Sequence, residues 1–331
     1  MKLNKIIFIL ITLVLVSCMD QEVKDTPKKT AANIQIQRFE KEMFGVPIAG
    51  LEAHLKGIKT QYNCALLNVY PDDPNYMTQI CDMAQDRTMR EIYDSIQSKY
   101  ADLSWLEKDL TQALGRLKRV DNRINCNKII TFASGTFDYA NRVAADRNSI
   151  LIAIDQYTVP MFKHYGYFQL PMYLVHLCDS QYIASDCIAA VAQQHVAIPE
   201  TEMNLLDYMI AEGKTTYLQS IALPKTEDSI LLRYTSEQME WIEDNEQKAW
   251  AYLIQNNLLY EKDFNKIHNF IEDAPKTNCF GNESAPRIAA YFGLRIVRRY
   301  MKGHDINTRE LLDNTNSQSI LRLSGYKPER R

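Results

Sequence analysis

The sequence lacks the short motifs that mark the common types of catalytic site. It has six histidines in 331 residues, and no two of them are four residues apart, so neither H-x-x-x-H nor the HExxH zinc motif occurs. There is no G-x-S-x-G turn for a nucleophile, no P-loop and no dinucleotide fingerprint. These absences argue against an ordinary zinc peptidase, an α/β-hydrolase or a nucleotide-binding enzyme.

Charge and cysteine content exclude little beyond nucleic-acid binding. The 38 basic and 41 acidic residues give a formal net charge of −3, and nothing in their balance favours a nucleic-acid partner. Six cysteines follow Cys18 at irregular spacings, and no C-x-x-C occurs. In so large a chain we expect at most two disulfides, with the other thiols buried as small apolar groups.

One long apolar run lies near the N-terminus, and it is too short to span a bilayer. Lys2 and Lys5 precede an apolar run of eleven residues at 6–16. The run leads into LVSC at residues 15–18, which resembles the lipobox of bacterial lipoproteins; an ordinary secretory signal with a chance cysteine is the alternative. The lipobox implies a signal peptide at 1–17, a diacylglycerol and usually an N-acyl chain on Cys18, and a tether at 18–33.

For residues 34–331 the pattern predicts a single α+β domain that is predominantly helical. A brief alternation at 33–39 and isoleucine-rich runs at 129–133 and 149–155 predict strands. We expect a mixed or antiparallel sheet of three to five strands, with a helical bundle around it. The predicted helices include residues 48–61, 77–100, 104–119, 183–196, 205–224 and 286–301.

Two predicted helices carry capping-box patterns at their starts. In this pattern a serine or threonine caps the helix, and a glutamate or glutamine three residues later bonds back to it. Ser104 with Glu107 and Thr235 with Gln238 have the required spacing.

The helix at 205–224, LLDYMIAEGKTTYLQSIALP, carries a carboxylate beside its apolar stripe. Leu206, Met209 and Gly213 follow the spacing of a buried helical face. Glu212 lies on the flank of that face. A carboxylate in this position is either solvated at the rim or held in a pocket for a specific purpose.

Motifs in consistent order along almost the whole chain from residue 34 resemble the gliding motility lipoprotein GldB family of Bacteroidetes. The resemblance also includes the lipobox. It implies an envelope lipoprotein that serves gliding motility. The motifs are RFE at 38–40, FDYANRVAADRNSILIAID at 137–155, QLPMYL at 169–174, the helix at 205–224, W-x3-NE-x3-W at 241–250, EDAPKT at 272–277, ESAPRIAAYFGLRIVRRYM at 283–301 and GYKP at 325–328.

The second half, about 128–331, is more distantly similar to zinc-peptidase-like domains of the DUF2268 kind. In those domains a short sheet precedes an HExxH helix, and a later helix supplies a glutamate ligand. The resemblance implies a zincin-like fold, with Glu212 at the position of the glutamate ligand. It places Asp186 and Ala190 where two histidines would be, and Cys187 where the catalytic glutamate would be.

The residues at these positions do not fit a working zinc peptidase. Catalytic zinc normally takes three protein ligands, and Ala190 offers none. Cys187 cannot serve as the general base that a carboxylate provides. We therefore expect no enzyme activity, no metal and no cofactor. Glu212 would be structural, with an arginine, either Arg287 or Arg295, as its partner.

Three functional hypotheses follow from the sequence. The preferred one is a non-enzymatic envelope lipoprotein that supports gliding motility or a related envelope process. It would bind envelope proteins, such as gliding or secretion machinery, through a degenerate peptidase-like cleft. The Cys18 lipid would hold it to the inner or outer membrane, facing the periplasm in preference to the cell surface. The alternatives are a hydrolase with an atypical site at Glu212, Asp186 and Cys187, and a lipoprotein that binds peptides or glycans.

Overall fold

Four short strands form a mixed sheet in the first half of the chain. The structure is a computed structural model that describes residues 34–136, 138–158 and 170–328. The strands lie in the order β1 (Ile36–Arg38), β2 (Lys128–Phe132), β4 (Ser149–Ala153), β3 (Val143–Ala145). The first three run parallel, and β3 pairs antiparallel with β4. This confirms the expected sheet of three to five strands.

Helices make up most of the described chain, as the sequence predicts. The α+β class with a predominance of helix is therefore confirmed. The predicted signal peptide, Cys18 and the tether lie outside the described residues. Before β2 the helices are α1 (Phe39–Phe44), α2 (Ile48–Tyr62), α3 (Pro74–Gln85), α4 (Arg87–Lys99) and α5 (Ser104–Val120); after β4 they are α6 (Met172–Val175), α7 (Ile183–Gln193), α8 (Leu205–Ala222), α9 (Asp228–Leu232), α10 (Ser236–Asp244), α11 (Glu246–Gln255), α12 (Phe264–Ile271), α13 (Ile288–Gly303), α14 (Thr308–Asp313) and α15 (Ser317–Ser324).

The start of β1 is held by side chains of α5. Glu107 Oε1 accepts a hydrogen bond from the Ile36 N–H at 2.8 Å, and Thr111 Oγ1 accepts one from the Ile34 N–H at 3.2 Å. The predicted Ser104 capping box is therefore wrong, because Glu107 satisfies an edge strand instead of its own helix. The Thr235 capping box with Gln238 is confirmed.

Helix α8 links two hydrophobic cores of the described chain. Its N-terminal half, with Leu206 and Met209, packs into a core formed with helices from α9 onward. Its last turns, with Leu218 and Ala222, pack into the core around the sheet. The helix begins at a capping box made by Asn204 and Asp207, and it ends at Ala222, as the proline at 224 predicts.

Helices α8 and α13 cross so closely that their backbones touch. A Cβ atom placed on Gly213 would lie 2.3 Å from the carbonyl of Gly293. One placed on Gly293 would lie 1.8 Å from the Met209 carbonyl oxygen. Only glycine can occupy either position at this separation. The crossing fixes Glu212, one residue before Gly213, against the start of α13.

The middle of α8 also buries a lysine that no sequence motif indicates. Lys214 is 1% exposed, and its ammonium group donates to the carbonyl oxygens of Asn314 at 2.5 Å and Leu312 at 3.5 Å. These carbonyls lie at the C-terminal end of α14, where a cation is favoured. Burial nevertheless lowers the pKa of Lys214 to about 8, although Asp313 acts in the opposite direction.

Lys214 should make the stability of the fold depend on pH in the alkaline range. The folded state releases this proton near pH 8, whereas the unfolded chain keeps it to about pH 10.4. The unfolded state therefore binds more protons in this window, and the free energy of unfolding should rise with pH by about 3 kcal/mol across it. Urea unfolding of the wild type and Lys214→Met between pH 7.5 and 10.5 measures the effect. The difference between the two curves isolates Lys214; parallel curves would contradict the assignment.

Candidate functional site

Asp186, the residue at the first predicted histidine position, is buried between two arginines. It projects from α7 with 4% of its side chain exposed. Arg142 Nη2 lies 2.6 Å from Oδ2, and Arg233 Nη2 donates to Oδ1 at 3.1 Å. The Tyr157 hydroxyl donates to Oδ2 at 2.7 Å. Both carboxylate oxygens are therefore engaged by cationic or hydroxyl donors from three other segments of the chain.

Arg142 reaches Asp186 from the residue before β3. Its guanidinium lies 4.2 Å from the ring centroid of Tyr139 and 5.1 Å from that of Tyr157, and Nη1 donates to the Leu177 carbonyl at 2.9 Å. Burial lowers the pKa of Arg142, but Asp186, Tyr157 and Tyr139 together outweigh this effect, so the pKa is raised. The arginine is thus held charged in the interior by one carboxylate and two aromatic faces.

The ion pairs continue from Asp186 to Glu212. Arg233 Nη1 lies 3.9 Å from Asp273 Oδ2, and Arg287 Nε lies 3.4 Å from Asp273 Oδ1. Arg287 Nη2 then donates to Glu212 Oε2 at 3.2 Å. We name this set of three arginines and three carboxylates the arginine–carboxylate chain; its members are Arg142, Asp186, Arg233, Asp273, Arg287 and Glu212.

Two of the arginines occupy strained backbone positions. Arg233 follows α9 with φ 61°, and Arg287 precedes α13 with φ 49°. A long side chain rarely adopts this left-handed region, which costs on the order of 1–3 kcal/mol per residue. Burial lowers the pKa of Arg233, but Asp186, Tyr139, Asp273 and Glu212 together outweigh this effect, so the net shift of the pKa is upward. The contacts of the arginine–carboxylate chain keep both residues in place.

The structure settles the predicted partner of Glu212. Arg287 pairs with Glu212, which confirms one of the two predicted partners. Arg295 is the wrong alternative, because its Nε lies 3.6 Å from Glu246 Oε1 in a different cluster. About 31% of the Glu212 side chain is exposed, so the carboxylate lies at the rim of the arginine–carboxylate chain and not in a closed pocket.

Cys187, the third residue of the predicted site, is fully buried beside Asp186. Burial raises the pKa of its thiol well above the ordinary value, and the nearby Asp186 carboxylate acts in the same direction. A raised pKa favours the thiol form of Cys187. The thiolate is the nucleophilic form, so Cys187 is a poor nucleophile. It fills space in the core around the sheet. The six described cysteines form no disulfide with one another.

The residues of this site do not fit a zinc ion. Within residues 34–136, 138–158 and 170–328, no group of three or more histidine, cysteine, aspartate or glutamate side chains could hold a metal. The two carboxylates that the peptidase resemblance points to are paired with arginines, and Ala190 supplies no ligand. A divalent cation would have to displace those guanidinium groups and then lie beside them.

A second buried cluster joins three of the sequence motifs near the C-terminus. Glu246, from the W-x3-NE-x3-W motif, accepts hydrogen bonds from the hydroxyls of Tyr291 at 3.2 Å and Tyr326. Trp250 packs edge-on against Tyr326 with ring centroids 5.1 Å apart. The motif residues therefore hold the end of the chain against α13 and α11, which is a structural role.

The order of these motifs is also that of a known family. A family model described as gliding motility protein GldB matches residues 20–328. The chain belongs to the GldB family. No curated protein and no solved structure matches it. The part matched by the GldB family includes every member of the arginine–carboxylate chain and both glycines of the α8–α13 crossing.

Membership of the GldB family links the protein to gliding motility, and the family model's name, GldB_lipo, indicates a lipoprotein of the cell envelope. In the described part of the chain, no helix is long and apolar enough to cross a membrane. Cys18, the predicted lipid attachment site, precedes both the described residues and the matched region.

Proposed function

We propose that this GldB family member is a membrane-anchored, non-catalytic lipoprotein that acts by binding envelope proteins. The Cys18 lipid would hold it to the inner or outer membrane, with the folded part in the periplasm. Family membership supports the link to gliding motility. The partners would belong to the gliding or secretion machinery, and no cofactor is required.

The proposal that the protein is non-catalytic rests on the pairing of Asp186 with Arg142 and Arg233. In a zinc peptidase the residue at this position must offer a free electron pair to the metal. Here both carboxylate oxygens face guanidinium groups, and Glu212 faces a third. The fold around them would then be a degenerate zincin-like fold. Its former metal site would be occupied by the arginine–carboxylate chain, which would hold the surrounding segments together.

Complementation of a strain that lacks the gene tests this proposal. Glu212→Ala and Cys187→Ala should restore motility to the wild-type level, because neither residue performs chemistry. The Cys18→Ala variant should be lost from the membrane fraction, and it should fail to restore motility. Chemical cross-linking of the wild type in membranes should recover envelope proteins.

Metal analysis of the full chain, purified without chelators, is the matching control. We expect substoichiometric zinc in the wild type and in Glu212→Ala alike. Stoichiometric zinc that is lost in Glu212→Ala, or lost motility in a correctly folded Glu212→Ala, would instead favour the hydrolase. A Cys18→Ala variant that stays with membranes would contradict the lipid anchor, and a lack of envelope partners would contradict the binding function.

A further inference from the structure

A cavity of about 400 Å³ lies at the carboxyl ends of the parallel strands, and no member of the arginine–carboxylate chain lines it. Residues that directly follow or end all three parallel strands line it: Phe39 after β1, Ala133 and Ser134 after β2, and Ala153 at the end of β4. Open sheets with parallel strands commonly bind ligands beyond this edge. The volume is in the range of small-ligand sites, which is about 300–1,000 Å³.

The floor of the cavity is apolar and adaptable. It is formed by α1, α3 and the end of β2, with Met43, Ile80, Met83 and Phe132 among its residues. Nine of the fifteen described lining residues are apolar, which favours a ligand with a large apolar group over a sugar. Methionine and aromatic side chains adapt to ligands of different shape.

The described polar side of the cavity carries amides, hydroxyls and one carboxylate. Its amides and hydroxyls include Asn68, Ser134, Asn141 and Gln156, and Asp138 is the one charged residue among the described lining residues. No described lysine, arginine or histidine lines the cavity, and the Asp138 carboxylate would repel a phosphate or carboxylate. Amide side chains both donate and accept, as a peptide group requires.

The buried carboxylate of Asp155 holds this polar side in place through hydrogen bonds. Asp155 accepts hydrogen bonds from the Ser134 N–H at 3.0 Å, the Ser134 hydroxyl at 2.8 Å and the Gly135 N–H at 2.9 Å. Gln156 then donates to the Ser134 hydroxyl at 3.2 Å. Ser134 and Gly135, the described start of this polar side, are therefore held in place by hydrogen bonds, which lowers the entropic cost of binding.

We propose that this cavity binds an uncharged peptide unit that carries one large apolar side chain. The side chain enters the floor between α1 and α3, and the peptide N–H and C=O groups meet the amide and hydroxyl groups of the polar side. An internal segment of a protein supplies such a unit without charged ends. The proposal rests on the protein-binding function above and assigns it a location on the fold.

Methyl NMR of the full chain in lipid nanodiscs, with ¹³C-labelled methionines, tests the site directly. Met43 and Met83 line the cavity, whereas Met172 does not and is 69% exposed. The probe is N-acetyl-phenylalaninamide, which is uncharged. It should shift the Met43 and Met83 methyl signals saturably and leave Met172 unchanged. N-acetyl-phenylalanine, with a free carboxylate, and N-acetyl-alaninamide, without the large side chain, should each bind at least about tenfold more weakly.

Ile80→Trp should fill the floor and weaken binding of the same probe at least about tenfold, whereas Ile254→Trp, at an exposed position on α11, should not. The proposal is overturned if Met43 and Met83 do not shift saturably, if the carboxylate probe binds equally well, or if a folded Ile80→Trp binds unchanged. The comparison of the probes does not depend on any variant. A failed titration would leave the capture of envelope partners intact, so the two proposals fail separately.

Discussion

Replacing Gly293 with alanine should destabilise the fold by about 3–5 kcal/mol, one of the largest effects available to a single methyl group. The new Cβ atom would lie 1.8 Å from the Met209 carbonyl oxygen and 2.7 Å from its carbon, and backbone atoms cannot rotate away as a side chain can. The two helices must separate, which opens the packing along the whole crossing. Urea unfolding at neutral pH measures the change in the free energy of unfolding.

Gly57→Ala is the matched control for this substitution. Gly57 lies inside α2, and a Cβ atom there would meet nothing within 4 Å. The same glycine-to-alanine change should therefore stabilise the protein by up to about 1 kcal/mol through helix propensity alone. A Gly293→Ala variant as stable as the wild type would show that α8 and α13 do not approach this closely.

Replacing Asp186 with alanine should cost about 3–5 kcal/mol, because it leaves a charged group buried without its partner. Arg142 is 3% exposed, and the Leu177 carbonyl and two aromatic faces among its described contacts cannot replace the lost carboxylate. Arg233 would keep Asp273 at 3.9 Å. The denaturant midpoint should fall while the dependence of the unfolding free energy on urea stays constant.

Two further variants separate the loss of a partner from the loss of a side chain. Glu212→Ala removes a carboxylate from the exposed end of the same arginine–carboxylate chain and should cost no more than about 1 kcal/mol. Arg142→Met combined with Asp186→Leu removes both members of the buried pair and should recover much of the stability lost in Asp186→Ala. Equal losses in Asp186→Ala and Glu212→Ala would contradict the described burial.

The sequence predicted the elements of the fold better than their junctions. The strands β2 and β4 and the helix α8 have strong periodic patterns, and they were placed to within two residues. β3 was missed because three residues, Val-Ala-Ala, carry no alternation that could indicate a strand. The Ser104 cap failed because a capping box describes a helix in isolation, whereas Glu107 bonds a strand that is 71 residues away.

The sequence predicted the candidate site less completely than it predicted the fold. The peptidase resemblance singled out Asp186, Cys187 and Glu212, and the expectation of an arginine at Glu212 included the correct one. Arg142 and Asp273 lay inside recognised motifs, yet each motif looks like a surface loop on its own. Arg233 lay outside them. Six charges from six separate segments form one chain of ion pairs only through tertiary packing, which no local pattern encodes.

The attachment of β1 determines how the described fold would respond to a pull on its N-terminal side. Such a pull would meet β1 before any of the described helices. There the strand is short, but Glu107 and Thr111 bond its first N–H groups, and the buried Glu40 just beyond it pairs with Arg38 and accepts from Thr131. Resistance to such a pull depends on the rate at which this junction opens, not on the equilibrium stability of the whole fold. Under tension from the N-terminal side, that junction would be the first part of the described fold to yield.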